Sequence, residues 1–174
     1  DRGLAYQISD AYQKGQKRLV ISSSGNAAIA AAAYCQLVKI ELTVFVSPKI
    51  NPQKLNKIKE FKAKVKILPR PVSEAVRLAQ KEKIRNLRPS IDPVGWVGYQ
   101  SLAFEIEEKI GRIGAIFFPV SSGTTLVGVA SGFKKLGYLP QLHAVQTTAV
   151  YPMAQHFDKD FQPTKTSLAE ALVA

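Results

Sequence analysis

The sequence predicts an α/β fold in which an open, doubly wound parallel sheet carries helices on both faces. Three observations lead to this prediction. Short apolar runs alternate with longer amphipathic stretches, which is typical of parallel strands joined by crossover helices. The connections between these runs are short and rich in Gly, Pro and Ser. The 174 residues are 46% hydrophobic, which is enough to bury the core of a domain. We therefore expect one α/β unit over residues 1–174.

The first half of the chain predicts four helices and three strands. Asp1 can cap the first helix, and Gly15 ends it. The alanine-rich run after Gly25 is a good helix former, and Asn51 before Pro52 is typical of a helix start. The predicted helices are Arg2 to Lys14, Gly25 to Leu37, Asn51 to about Phe61 and Ser73 to about Leu87, and the strands are Leu19 to Ile21, Leu42 to Val46 and Val65 to Leu68.

The second half resumes this alternation after a loop. Pro89 and Gly95 interrupt both helix and strand patterns, so we predict a loop over 88–98 that borders or covers a site. The elements predicted beyond it are a helix from Tyr99 to Ile110, a strand from Ala115 to Val120, a helix from Leu126 to Leu136 and a strand from Leu142 to Gln146. Residues 158–174 predict an irregular tail that enters a truncated helix at Ser167, and we expect further chain beyond it.

Charge and cysteine content limit the classes of function. The chain has 24 Lys and Arg against 13 Asp and Glu, a formal net charge of +11, which fits a nucleic acid, a membrane surface or an anionic metabolite. The lysines from Lys49 to Lys66 alternate with apolar residues as on a solvated helix face, and no nucleic-acid fold signature accompanies them. The run from Ala27 to Cys35 is too short to span a membrane. The single cysteine leaves no internal disulfide and no cysteine-rich metal site. Taken together, these observations lead us to expect a soluble cytoplasmic protein that binds no nucleic acid, membrane or metal.

Two loops of small polar residues are the strongest functional signal. Ser22 to Asn26 and Ser121 to Thr125 each join an apolar strand to a helix. The first N–H groups of a helix have no partner within it and its dipole favours negative charge, so such loops can bind phosphate or carboxylate. Ser, Gly and Thr also suit ordinary turns, so either loop alone could be structural. Ligands of open parallel sheets bind at the carboxyl ends of strands, and the pair therefore predicts one crevice for one ligand with two anionic ends, or for two anionic ligands.

Four motifs resemble the fold type II pyridoxal-phosphate enzymes, threonine synthase above all. They are, in chain order, Asp1 to Gly3, Ser22 to Ala27, Gly98 to Ile106 and Pro119 to Thr125. The resemblance implies pyridoxal 5'-phosphate as cofactor and a small amino-acid substrate with an anionic group. It also implies an elimination or replacement reaction, with the conversion of O-phosphohomoserine to threonine as the specific case. Members of this family are commonly dimers, so a homodimer is expected.

The resemblance also assigns roles to the residues of the two loops. The substrate carboxylate would be held by Ser23, Ser24, Gly25 and Ala27. Asn26 would hydrogen-bond the phenolic oxygen of the cofactor ring. The phosphate cradle would consist of Ser121, Ser122, Gly123, Thr124 and Thr125, with serine and threonine at 121 and 124, where glycines are common in the family.

The family's Schiff-base lysine has no counterpart within this sequence. In the family it lies immediately before the Asp-Arg-Gly triplet, which is Asp1 to Gly3 here, so we name no catalytic residue. We expect the chain to be the central part of a larger two-domain enzyme that carries this lysine. The alternative is a non-catalytic module that binds phosphate or pyridoxal phosphate through the same two loops.

Overall fold

A computed structural model describes residues 2–157, 160 and 162–169. The chain divides after Gly98 into two compact units, named here unit 1 (residues 1–98) and unit 2 (residues 99–174). Unit 1 contains α1 (Arg2–Gln13), β1 (Arg18–Ser22), α2 (Asn26–Leu37), β2 (Glu41–Val46), α3 (Pro52–Glu60), β3 (Lys64–Ile67), α4 (Pro71–Glu82) and β4 (Arg85–Asn86). Unit 2 contains α5 (Gln100–Ile110), β5 (Ala115–Pro119), α6 (Thr124–Lys135) and β6 (Gln141–Val145). The single α/β unit over residues 1–174 stays a prediction.

Unit 1 is built on a four-stranded parallel sheet with the strand order β3-β2-β1-β4. β1 pairs with β2 over its whole length, from Arg18 opposite Glu41 to Ser22 opposite Phe45. The chain lays down β2 and β3 on one side of β1 and then returns to pair β4 with the other side. The strand order therefore reverses beside β1. The carboxyl end of this strand is where ligands of open α/β sheets bind.

Alternate residues of β1 face helices on opposite sides of the sheet. Leu19 and Ile21 pack in one core with residues of α1, α2 and α3, whereas Val20 packs in a second core with Ala75 of α4. Successive side chains of a strand point to opposite faces, so helices cover both faces of this sheet. This arrangement confirms the predicted α/β fold with a parallel sheet between helices.

Unit 2 contains a two-stranded parallel sheet and two helices that pack on each other. Phe118 of β5 is buried in a core with Phe133 of α6. The neighbouring Phe117 points to the other face of the sheet and is 67% exposed. Its ring stacks on that of His143, with the ring centres 4.3 Å apart. Within the described residues, unit 2 therefore covers one face of its sheet.

The helix predicted from Ser73 to about Leu87 is wrong at its C-terminal end. The helix α4 ends at Glu82, because Lys83 takes the left-handed conformation with φ 52°. The strand β4 follows, and the backbone N–H of Leu87 donates to the carbonyl oxygen of Val20 at 2.8 Å. The apolar residues after Glu82 fit a helical period, but pairing with β1 overrides this local preference.

The tail and the chain start contain the remaining differences. Residues 167–169 are not helical, and the rest of the helix predicted from Ser167, residues 170–174, lies outside the described residues. Asp1, the predicted cap of α1, also lies outside them. A short 3₁₀ helix, Ala154–His156, follows β6. No described helix combines the length and apolar character that crossing a membrane requires.

Candidate anion-binding loops

The first loop leaves β1 at the point where the strand order reverses. Gly25 is the N-cap of α2, and no side chain caps the helix there. A Cβ atom on Gly25 would meet nothing within 4 Å, so the backbone of the first turn is accessible. The first N–H groups of α2 are therefore open to a ligand, as an anion site requires.

Backbone N–H groups hold the two serine hydroxyls of this loop. The Oγ atom of Ser23 accepts a hydrogen bond from the Gly25 N–H at 3.3 Å. The Oγ atom of Ser24 accepts one from the Ser47 N–H, just after β2, at 3.4 Å. A hydroxyl that accepts a hydrogen bond keeps its own hydrogen to donate. Both serines are partly buried and can donate to a carboxylate, whereas Asn26 is exposed. The sequence gives no signal for Ser47, because it acts through its backbone.

The second loop leaves β5 and contains the N-cap of α6. This residue, Gly123, has a φ of 76°, a left-handed conformation that favours glycine. No side chain caps α6, and the hydroxyl oxygens of Ser122 and Thr124 are hydrogen-bonded to each other at 3.0 Å. Neither Ser121 nor Thr124 has a positive φ. The backbone therefore does not require glycine at positions 121 and 124. The position where its conformation favours glycine is 123, and the sequence has glycine there.

The start of α3 shows the opposite arrangement. The side-chain Oδ1 atom of Asn51 accepts hydrogen bonds from the N–H groups of Gln53 and Lys54, at 2.9 and 3.4 Å. This side chain occupies the N–H groups that a ligand would need. Among the α-helices whose N-cap the structure describes, only α2 and α6 have a glycine there. These are the two helices that the sequence predicted to bind anions.

The charge of the two units differs sharply. Unit 1 has 18 Lys and Arg against seven Asp and Glu, so its formal charge is +11, whereas unit 2 has six of each and a formal charge of zero. The positive potential of the chain therefore originates in unit 1, the unit with the first loop. A potential of this sign raises the local concentration of anionic ligands.

The fold and the two loops define an α/β protein with two helix N-termini that are open to anionic groups. The chain belongs to the pyridoxal-phosphate dependent enzyme family, which matches residues 1–174. Pyridoxal 5'-phosphate is the cofactor of this family, and this confirms the cofactor implied by the sequence motifs. The second loop fits its phosphate group, since the start of α6 is uncapped and has hydroxyl groups at Ser122 and Thr124. The two loops lie in different units, and their common crevice stays a prediction.

Curated relatives of the chain include serine dehydratases. A Bos taurus protein described as L-serine dehydratase/L-threonine deaminase is 29% identical over 143 residues, which cover 79% of this chain and 44% of that protein. A Mus musculus protein described as serine dehydratase-like is 30% identical over 142 residues, 79% of this chain and 43% of that protein. The chain thus spans less than half the length of these relatives. The specific resemblance to threonine synthase within the family stays a prediction.

Solved structures with the same fold include two enzymes of amino-acid metabolism. Threonine deaminase isoform 2 from Solanum lycopersicum superposes with a TM-score of 0.83 and 19% identity, covering 99% of this chain and 53% of that one. Maize serine racemase gives a TM-score of 0.82 at 19% identity, covering 99% and 55%. At such identities the likeness establishes the fold alone.

Proposed function

We propose that the whole protein is a pyridoxal-phosphate enzyme that performs elimination or replacement on an amino acid. The observation that supports this most directly is the pair of glycine-capped, open helix N-termini at α2 and α6. The specific reaction that we propose is the conversion of O-phosphohomoserine to threonine. The curated relatives favour a second candidate, the dehydration of serine or threonine. Both candidates belong to elimination chemistry.

The residues of the chain would bind and orient in this reaction. When bound, pyridoxal phosphate supplies an electron sink for bonds broken at the substrate carbon next to the amine. The open start of α6 would hold the phosphate, with the one hydroxyl hydrogen that the bonded pair of Ser122 and Thr124 leaves free to donate. Asn26 would donate to the phenolic oxygen. Ser23 and Ser24 would donate hydroxyl hydrogens to the substrate carboxylate. The backbone N–H groups of Gly25 and Ala27 complete the carboxylate site in this proposal, and that of Gly25 would exchange its bond to the Ser23 Oγ atom for one to the carboxylate.

The charge of unit 1 supports a phosphorylated substrate. O-Phosphohomoserine carries a phosphate and a carboxylate, whereas serine and threonine have no net charge at neutral pH. The formal charge of +11 on unit 1 attracts the phosphorylated compound and not the neutral ones. If this attraction contributes to substrate capture, kcat/KM for O-phosphohomoserine falls as salt is added. At 0.1 M salt, dissolved ions screen the electric field of the protein at distances beyond about 10 Å.

Product analysis separates the two candidates. The whole protein with pyridoxal phosphate is offered O-phosphohomoserine, serine and threonine in parallel. Threonine and inorganic phosphate as products support the proposed reaction, whereas a 2-oxo acid and ammonium from serine or threonine support the dehydratase. If none of the three substrates reacts although the protein binds the cofactor, the enzymatic proposal fails and the non-catalytic binding module replaces it.

A pair of glycine variants separately tests the second loop, the proposed phosphate cradle. Gly123 and Gly137 both lie in unit 2 with left-handed backbones, φ 76° and 84°, but only Gly123 belongs to the loop. We expect Gly123→Ala to weaken pyridoxal-phosphate binding about tenfold or more, since the strained backbone moves the N–H groups. We expect Gly137→Ala to lower stability without changing the affinity. Equal affinities in equilibrium titrations of the two variants would remove the phosphate cradle from the proposal.

Two properties of the whole protein complete the proposal. We propose a homodimer from the resemblance to the pyridoxal-phosphate enzymes, and a cytoplasmic location from the single cysteine of the sequence. Sedimentation equilibrium at micromolar concentration tests the first, and a monomer over this range would contradict it.

A further inference from the structure

A cavity of about 360 Å³ lies at the edge of the unit 1 sheet where the strands begin. It is formed by the end of α2, the start of β2 and residues 61–63, which join α3 to β3. We call it the amino-edge cavity. The strand β2 is six residues long, so roughly 15–20 Å separates this cavity from the carboxyl end of the strand, beside the first loop.

The floor of the amino-edge cavity is apolar. Cys35, Ile40 and Leu42 belong to its lining and are at most 6% exposed. Burial raises the pKa of the Cys35 thiol to about 12, so the thiol carries no charge at neutral pH. The volume of the cavity lies within the range of about 300–1,000 Å³ that small-molecule sites occupy. The floor therefore fits the apolar part of a small ligand.

The charged residues of this lining are two lysines, Lys39 and Lys62. Both are exposed, and neither has a carboxylate partner within the described residues. Three other cavities of unit 1 also have Lys or Arg in their lining, but each of these has glutamate as well: Glu74 and Glu82 in one, Glu82 in the next and Glu60 in the third. The lining of the amino-edge cavity has no carboxylate, so its positive charge is not neutralised there.

The backbone at both lysines is strained. Lys39 and Lys62 have left-handed conformations with φ 57° and 58°, whereas glycine occupies such a position after α6, at Gly137. A positive charge is favourable at a helix C-terminus, but this benefit applies equally to Lys83 after α4, which has a φ of 52°. The helix ends therefore do not distinguish the first two lysines from the third. They differ from it because they share a cavity without a carboxylate.

We propose that the amino-edge cavity binds a small aliphatic carboxylate, with its apolar chain on the floor and its carboxylate between Lys39 and Lys62. A lysine ammonium group is a point charge with three donors on a flexible stem, so both lysines can bind one carboxylate together. Inorganic phosphate would use the lysines but leave the apolar floor in contact with water, so a carboxylate with a chain fits the cavity better. This site is separate from the two anion-binding loops, and the proposed function does not depend on it.

The first test compares three ligands on the whole protein. Hexanoate has both an apolar chain and a carboxylate, acetate lacks most of the chain, and hexan-1-ol lacks the charge. Each is titrated by isothermal calorimetry at constant sodium concentration. We expect saturable binding of hexanoate, with an affinity at least about fivefold above that of either control. The inference is wrong if hexanoate binds no better than acetate or hexan-1-ol, or if it does not bind at millimolar concentration.

Three glycine variants locate the bound hexanoate. Lys39→Gly and Lys62→Gly each remove one ammonium group, and because they also relieve backbone strain we expect both to fold. Lys83→Gly makes the same change at the end of α4, outside this cavity, and is the matched control. We expect each of the first two variants to raise the Kd of hexanoate about three- to fivefold, and the control to leave it unchanged. Equal effects of all three variants, or no effect of any, would overturn the inference.

The variant Gln36→Glu tests the lack of a carboxylate in the lining. Gln36 is exposed and belongs to the lining, and glutamate has nearly the same size and helix propensity. The new carboxylate would pair with the lysines and repel the ligand, so we expect the Kd of hexanoate to rise at least as much as in either lysine variant. Gln13→Glu, at the exposed end of α1 and outside this cavity, is the control and should leave the Kd unchanged. An unchanged Kd in Gln36→Glu would place hexanoate elsewhere and overturn the inference.

Discussion

The two units begin from the same strand-helix alternation but complete their layers differently. Unit 1 pairs four strands and covers both faces of its sheet with helices. Unit 2 pairs two strands and, within the described residues, covers one face. Parallel sheets are normally buried on both faces, and two paired strands are marginal on their own. The comparison shows that the strand-helix alternation of the sequence specifies the helices and strands of both units. The number of strands that pair decides whether helices cover one face of the sheet or both.

Three helices of unit 1 end differently from the helices of unit 2, whereas α1 is followed by a glycine with positive φ, Gly15, as in unit 2. Lysines in the left-handed conformation follow or end α2, α3 and α4 of unit 1, namely Lys39, Lys62 and Lys83. In unit 2, the left-handed residues that follow α5 and α6 are Gly111 and Gly137. A lysine is strained in this conformation, but its charge is favourable at a helix C-terminus. Unit 1 therefore gains positive charge at a cost in backbone energy.

The largest expected effect is that of breaking the buried ion pair of unit 1. Arg85→Met leaves the Asp92 carboxylate buried without its partner, so we expect the free energy of unfolding to fall by about 3–5 kcal/mol in urea titrations. Arg18→Met is the matched control, because Arg18 is half exposed in its pairs with Glu41 and Glu82. We expect this variant to lose about 1 kcal/mol or less. Similar losses in both variants would show that burial of the Arg85 pair has no energetic consequence.

Two adjacent phenylalanines test the one-sided burial of unit 2. Phe118 is buried and Phe117 is 67% exposed on the other face of β5. We expect Phe118→Ala to lower the free energy of unfolding by about 3–4 kcal/mol through lost burial and a cavity. We expect Phe117→Ala to lower it by about 1 kcal/mol or less, mainly through the lost stacking with His143. A large loss for Phe117→Ala would mean that this face of the sheet is covered in solution.

Acid should weaken unit 1 through Asp10. The hydrogen bond from Lys14 is the largest influence on the pKa of Asp10, burial opposes it, and the hydrogen bond from Arg85 adds to it, so that the pKa lies below its ordinary value. The unfolded chain therefore binds the proton at a higher pH than the folded one. The stabilisation is complete above about pH 4 and is lost as the pH falls through the folded pKa.

The variant Asp10→Asn isolates this contribution. We expect its melting temperature to fall less than that of the wild type between about pH 5 and pH 2, because the amide does not titrate over this range. The measurement is thermal unfolding by circular dichroism at a series of pH values. Parallel profiles for the wild type and the variant would contradict the assignment of the acid sensitivity to Asp10.

The smallest expected effect concerns the helix ends. Lys62 has a φ of 58°, and we expect Lys62→Gly to raise the free energy of unfolding by about 0.5–1 kcal/mol by removing the strain. The reciprocal change Gly137→Lys in unit 2 should lower it by about 1 kcal/mol. Lys54→Gly, inside α3, is the control and should also destabilise by about 1 kcal/mol. If Lys62→Gly destabilises, the charge at the helix end matters more than the strain.

The sequence by itself determined the features that depend on neighbouring residues. Periodicity predicted the helices and most strands, because the spacing of apolar residues reflects one buried face. Small residues between strand and helix predicted both loops, since a helix start is open or closed according to its own N-cap. Glycines occupy these caps at Gly25 and Gly123, whereas Asn51 closes the start of α3. The cofactor was implied by the resemblance of the same motifs to the pyridoxal-phosphate enzymes.

Only the tertiary structure decided the features that need distant partners. The short strand β4 lies between Ile84 and Leu87, whose spacing fits a helix, and it forms because β1 offers an unpaired edge more than 60 residues earlier in the chain. The bond from Ser47 to Ser24 depends on the register of two strands, and the pairing of Arg85 with Asp10 depends on how α1 packs beside β4. Many segments of the chain have the same local preference to pair with a given strand or to pack on a given helix. The free energy of the whole folded chain therefore determines these contacts, and local sequence patterns do not.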